Sequence, residues 1–230
     1  MEQALFDAVK AGNLDEVRRL VAGMPALAAA RDANGVSAIL FATYHGRREV
    51  AAALVEMGAP VDIFEASALG LVDRIGALLH EDAARVSAYA QDGFYPLGLA
   101  CFFGHVDAVR ALIAADADVH ATARNAFKVQ PVHAAAASRN LDVLRAVLEA
   151  GGDPNVPQQQ GFVPLHEAAT NGNREMAELL VRHGANPRLA NDAGKTSIDL
   201  ATDNGHPDLA AWMIGVRPNF TIGLAASLSQ

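Results

Sequence analysis

Val163-Pro164-Leu165-His166-Glu167-Ala168-Ala169-Thr170-Asn171-Gly172-Asn173 decides the fold of this 230-residue chain, because it recurs. Related phrases are Tyr95-Pro96-Leu97-Gly98-Leu99-Ala100, Gln130-Pro131-Val132-His133-Ala134-Ala135 and Thr196-Ser197-Ile198-Asp199-Leu200-Ala201, with a more worn copy at Ser37-Ala38-Ile39-Leu40-Phe41-Ala42. Each phrase has the chemistry of a helix start. Proline costs nothing in a first helical turn, where its missing N–H would be unpaired anyway, and Pro96, Pro131 and Pro164 fit that place. The small Ala-Ala pairs that follow allow neighbouring helices to approach closely. A turn then comes at Gly46, Gly104, Arg139, Gly172 or Gly205. Glycine suits a left-handed residue between two helices, so Arg139 predicts a strained or altered turn. Beyond each turn, apolar residues recur three and four apart, as in Val106, Val109, Leu112 and Ile113 or Met176, Leu179 and Leu180. That spacing makes one buried stripe on a second helix.

A longer period contains the shorter one. Shifted by 58 positions, residues 5–62 fall on 63–120 without a gap: Phe6 on Phe64, Gly12 on Gly70, Gly35 on Gly93, Gly46 on Gly104 and Leu54 on Leu112. Fixed-period self-similarity marks stacked units, so function should sit where the units differ.

The phrases resemble the ankyrin pattern, in which T-P-L-H-x-A opens each unit of about 33 residues. Glu149-Ala150-Gly151-Gly152-Asp153-Pro154-Asn155 and Arg182-His183-Gly184-Ala185-Asn186-Pro187 look like that family's G-A-D-x-N exit. The resemblance covers roughly residues 2–214. It implies an all-α ankyrin-repeat solenoid of about seven helix-turn-helix units joined by short β-hairpins or loops. Successive turns, counting Gly12 and Gly70, lie 34, 24, 34, 35, 33 and 33 residues apart. The expected organisation is an array over 1–214, with capping first and last units and a shortened third, then a tail over 215–230 packed on the last repeat. The third unit lacks a lead-in phrase before Phe64, which predicts an interruption in the row of hairpins. The link Thr122–Val129 is long and is expected to bulge. His133 and His166 are read as bonding local backbone, as the family uses this histidine. His45, His105 and His206, each beside a turn glycine, are read as architectural.

Composition narrows the function classes. The chain is 51% hydrophobic and 19% charged, enough apolar content for a continuous core. No apolar run approaches the ~18 residues of a membrane span, and no basic-then-apolar leader opens the chain. Cys101 stands alone inside a first helix, as a packed small hydrophobe, which points to a reducing cytoplasm. Abundant alanine and Arg in preference to Lys suggest a bacterial genome. The net charge of −8 disfavours nucleic acid as a partner. Phosphate-loop, nucleophile-elbow, H-E-x-x-H and C-x-x-C patterns do not occur, so no cofactor, metal or catalytic residue is expected.

Recognition remains. The resemblance implies partner binding through hairpin tips and the exposed ends of first helices, which line a concave surface. On this chain the candidates are Asn34, Val36, Tyr44, His45, Asp92, Phe94, Phe102, Phe103, Phe127, Phe162, Asn171 and Lys195. Aromatics are only 6% of the chain yet gather here, and aromatic side chains enrich binding hot spots. The competing reading is that they fill gaps between loosely matched units. The function expected is a non-enzymatic protein-interaction module, monomeric or weakly self-associating, with a protein partner and no membrane. The alternatives are a small-molecule or enzymatic pocket at the aromatic cluster, where Tyr44, His45, Asp92 and Tyr95 are the titratable candidates, and a self-associating structural protein.

Overall fold

The computed structural model describes residues 1–216. The expected packing of the tail therefore lies outside the described residues, apart from its first two positions. Helices come in consecutive pairs: α1 (Glu2–Ala11) with α2 (Leu14–Gly23), and α3 (Ala38–Tyr44) with α4 (Arg48–Glu56). Units three and four pair α5 (Ile63–Leu69) with α6 (Val72–Glu81), and α7 (Pro96–Phe102) with α8 (Val106–Ala114). The later pairs are α9 (Pro131–Ser138) with α10 (Leu141–Glu149), α11 (Pro164–Thr170) with α12 (Arg174–Arg182), and α13 (Ser197–Asp203) with α14 (Pro207–Gly215). Strand structure among the described residues is limited to isolated bridges, Arg31 with Ser37 and Ala190 with Thr196, at the hairpins of units two and seven. The architecture is an all-α solenoid.

The 58-residue register survives folding almost to the residue. Shifted by that amount, α2, α3 and α4 coincide with α6, α7 and α8, and the 3-10 turn Pro25–Ala29 coincides with Ala83–Ser87. Even backbone signs repeat: Gly58 and its counterpart Asp116 both have positive φ, 85° and 64°. Local chemistry accounts for this fidelity. Pro96, Pro131 and Pro164 open their helices, and glycines in left-handed conformation close α1 and α5. Arg139 keeps that left-handed geometry at φ 58° in place of glycine, so the turn is strained and not altered.

The core is a strip running from unit to unit. One buried cluster spans Leu5–Ala59 and another Ile63–Met213, with Val61 packed against both. A smaller cluster of Val36, Leu40, Ala68 and Leu99 ties α3, α5 and α7 together. Cys101 is fully buried inside this strip, and burial pushes its thiol well above the ordinary range.

The third unit departs from expectation in one respect. Asp62 caps α5 directly, accepting from the Phe64 and Glu65 N–H groups, and no hairpin precedes it. The row of tips nevertheless closes up. A Cβ on Gly35 would fall inside the Gln91 carboxamide, so the unit-two and unit-four hairpins touch. The Tyr44 hydroxyl, 48 residues away in sequence, donates to Asp92 Oδ2 at 2.9 Å. The missing hairpin shortens the row and leaves no gap.

Candidate functional site

A cavity of about 580 Å³ opens between α7, α9 and the hairpins of units five and six. Gly98, Leu99 and Ala134 form its buried base, Phe94, Tyr95, Phe102, Phe127 and Phe162 its walls, and Gln158–Gln160 one rim. Tyr44 reaches it from unit two.

Three departures from the repeat open this space. The first is Gly98, which stands where His133 and His166 stand in their own phrases. In units five and six that histidine is a two-ended staple. His133 Nδ1 accepts from Gln130 N–H at 3.1 Å, and its Nε2 lies 2.9 Å from the Val156 carbonyl. His166 does the same with Val163 N–H at 3.0 Å and the Leu189 carbonyl at 3.0 Å. The expected local bond is therefore half of the role, because the other half grips a backbone 23 residues downstream, ahead of the next unit. Burial holds His133 down at about 4 and lowers His166, so both rings are neutral near pH 7. In unit four the Tyr95 ring occupies this place. A Cβ on Gly98 would lie 2.9 Å from the Tyr95 ring, and the Tyr95 hydroxyl donates to the Val129 carbonyl at 3.2 Å.

The second departure is the hairpin of unit five. The other hairpins close between residues four apart, as Asp32 N–H to Val36 O, Ala90 to Phe94, Gln158 to Phe162 and Asn191 to Lys195. In unit five Ala123 bonds Val129 instead, so the loop carries two extra residues. Phe127 sits in that enlargement, next to Lys128 with φ 52°. The third departure is the unit-six tip, where Gln160 at φ 62° precedes Gly161 at φ 70°. The equivalent Asn34, Asp92 and Ala193 do not have positive φ.

The site is electrically bland. None of its lining residues is charged. Burial, reinforced by the Asp92 carboxylate, pushes the Tyr44 phenol far above its usual range, and burial does the same to Tyr95. Neither phenol exchanges a proton near neutrality. His45 does not join them. It is exposed, its ring lies 4.3 Å from that of Phe41 and its Nδ1 is bonded to the Phe41 carbonyl. His105 and His206 instead pack on the turn glycines of other units, Gly70 and Gly172, where a Cβ would come within 2.6 and 2.5 Å of their rings.

The candidate residues thus divide. Phe102 and Phe127, 51% and 55% exposed, are the most exposed of these rings, with Phe102 lying edge-on to Phe103 at 5.2 Å. Phe94 and Phe162 are half-buried in the wall, and Phe103 stacks on Tyr44 at 5.9 Å. Packing and presentation therefore both operate among the aromatics. Val36 is a correction: only 8% exposed, it belongs to the core beside Leu40 and offers no tip surface. Asn34 is exposed on the unit-two tip, whereas Asn171 is engaged by Arg139 and Glu167, and Lys195 by Asp203 at 3.0 Å, outside the cavity. Gly98, Leu99, Val129, Ala134 and Gln158 were missed as site residues. Two signals pointed to them: the glycine in the unit-four phrase and the 35-residue step to Arg139.

A second polar cluster lies where the unit-three hairpin is missing. Glu65 is fully buried, accepts from Asp62 N–H through Oε2, and leaves Oε1 without a hydrogen bond, 4.0 Å from the Arg31 guanidinium. Arg31 also approaches Asp62 at 3.4 Å. Burial first, then the neighbouring Asp62, pushes Glu65 up to about 7, while hydrogen bonding and Arg31 lower Asp62.

Among the described residues no three His, Cys, Asp or Glu side chains gather in a way that could hold a metal ion, and no helix is long and apolar enough to cross a membrane. No curated relative matches the chain. Family models do: one for ankyrin repeats in many copies over residues 5–62, and one for three copies over 63–158 and 132–222. With phrases, turns, helix pairs and family models in agreement over residues 5–215, the chain belongs to the ankyrin repeat family.

Proposed function

We propose that this chain is a non-enzymatic module that binds a protein partner on the concave face of units four to six. Ankyrin repeats are generally protein-interaction modules, and the family is typically non-enzymatic. The observation that supports this particular face is a pair of exposed rings: Phe102 and Phe127 are large, apolar and more than half exposed, while Phe94, Tyr95 and Phe162 around them are buried or half-buried. Rigid aromatics of this kind lose little rotamer freedom on association and bury much area. Burial keeps the Tyr44 and Tyr95 phenols and the Cys101 thiol protonated, and His133 and His166 have both ring nitrogens committed to backbone, which argues against these groups as nucleophiles or bases.

The test is capture and identification of partners by the whole chain, repeated with Phe102→Ala and Phe127→Ala. A partner of this face should bind each variant about thirtyfold more weakly, a loss of about 2 kcal/mol, while the melting temperature holds because both rings are exposed. Glu178→Ala, which removes only a half-exposed ion pair with Arg174 at 2.6 Å, should leave binding unchanged. Binding that survives both aromatic substitutions in folded protein refutes this face.

A further inference from the structure

We propose that the basin between the hairpins of units five and six is a binding site for a small uncharged molecule with a flat, ring-bearing apolar body and one hydrogen-bonding edge. Its volume of about 580 Å³ falls within the ~300–1,000 Å³ of small-molecule pockets. One side chain from a partner would fill only a fraction of it. The class of ligand follows from the lining. Rings from four chain segments, Phe94 and Tyr95, Phe102, Phe127 and Phe162, surround the space and favour stacked or edge contacts with another ring. An ion entering would give up its hydration and find no counter-charge, since no lining residue is charged.

The hydrogen-bonding edge comes from the rim. The side-chain amides of Gln158, Gln159 and Gln160 make no hydrogen bond among the described residues, and each offers both a donor and an acceptor. The backbone around them is set at a cost. Gln160 and Lys128, on the two hairpins that flank the basin, hold left-handed conformations without glycine. Strain of that kind persists where the surrounding structure demands a particular loop shape. Gly98 completes the site, because a histidine there, as in units five and six, would occupy the space now shared by the Tyr95 ring and the basin.

Failure of any protein partner to engage this face would leave the site standing, because the probe experiment needs none. The full chain is titrated with 1-aminoanthracene, neutral at pH 7 and brighter in apolar surroundings, and separately with the anion 8-anilinonaphthalene-1-sulfonate. The neutral probe should saturate at one per chain, and the anion should bind about tenfold more weakly or worse. Phe102→Ala combined with Phe127→Ala should weaken the neutral probe by about tenfold or more without changing the circular dichroism. In the unaltered protein, the probe should shift the backbone amide resonances of Gly98, Val129, Gln159 and Gln160, a readout that does not depend on any variant folding. Non-saturating binding, equal affinity for the anion, or shifts centred elsewhere would overturn the proposal.

Discussion

Units four and six open with phrases that differ at two decisive positions, and the difference marks where the candidate cavity lies. In unit six, Val163-Pro164-Leu165-His166 ends in an imidazole that joins two backbone segments 23 residues apart and is completely buried. In unit four, Tyr95-Pro96-Leu97-Gly98 places a phenol ring from the cap position into that role, with a single bond to Val129. The staple closes unit six onto its successor. The tyrosine makes one such bond in place of two, and its ring and the enlarged hairpin of unit five both line the cavity. Departures from the repeat, more than the repeat, locate the candidate site.

The harshest way to break the comparison is His166→Ala. It orphans the Val163 N–H and the Leu189 carbonyl and leaves a void, so stability should fall by about 3 kcal/mol in urea denaturation. A loss below about 1 kcal/mol would mean that the downstream bond adds nothing and that the local bond is the whole effect.

Acidity separates the two halves next. Glu65, raised from 4.5 to about 7, makes the native protein bind more protons than the unfolded chain between those values. Its contribution therefore falls as pH rises through that window and is lowest above it. His133 has the opposite sign. Lowered from 6.5 to about 4, it favours the fold increasingly as pH rises from 4 to 6.5 and loses that contribution as pH falls. The two slopes offset each other in the wild type. Glu65→Gln keeps an oxygen to accept from Asp62 N–H and removes the falling slope. Its stability should then rise with pH up to about 6.5 and exceed that of the wild type above pH 7, as denaturation from pH 4 to 8 would register. A profile parallel to the wild type would place the proton elsewhere.

The smallest effect is the sharpest in logic, because it concerns a sign. Gly98→Ala and Gly76→Ala both replace a helical glycine, worth about 1 kcal/mol of stabilisation where space is free. Nothing lies within 4 Å of a Cβ at Gly76, and that variant should gain close to this amount. At Gly98 the new methyl meets the buried Tyr95 ring at 2.9 Å, and overpacking should turn the gain into a net loss of about 1 kcal/mol. Equal gains at both sites, read from thermal denaturation, would show that the Tyr95 ring yields freely.

Much of this protein is legible in its sequence. Proline at the helix starts, left-handed glycines at the turns and apolar residues three and four apart each act within one helical turn, and each is written several times over. Together they determined the helix pairs and the absence of a hairpin before Phe64.

Only the tertiary structure decided which aromatics face solvent, that the tips of units two and four meet across the shortened third unit, and that Val36 is core. It also decided that His166 reaches Leu189, Tyr95 reaches Val129 and Tyr44 reaches Asp92, over separations of 23, 34 and 48 residues. The physical reason is the range of the forces involved. Caps, turns and helical stripes are set by neighbours along the chain, whereas exposure, cavity volume and the proton on Glu65 depend on what successive units bring against one another when they stack.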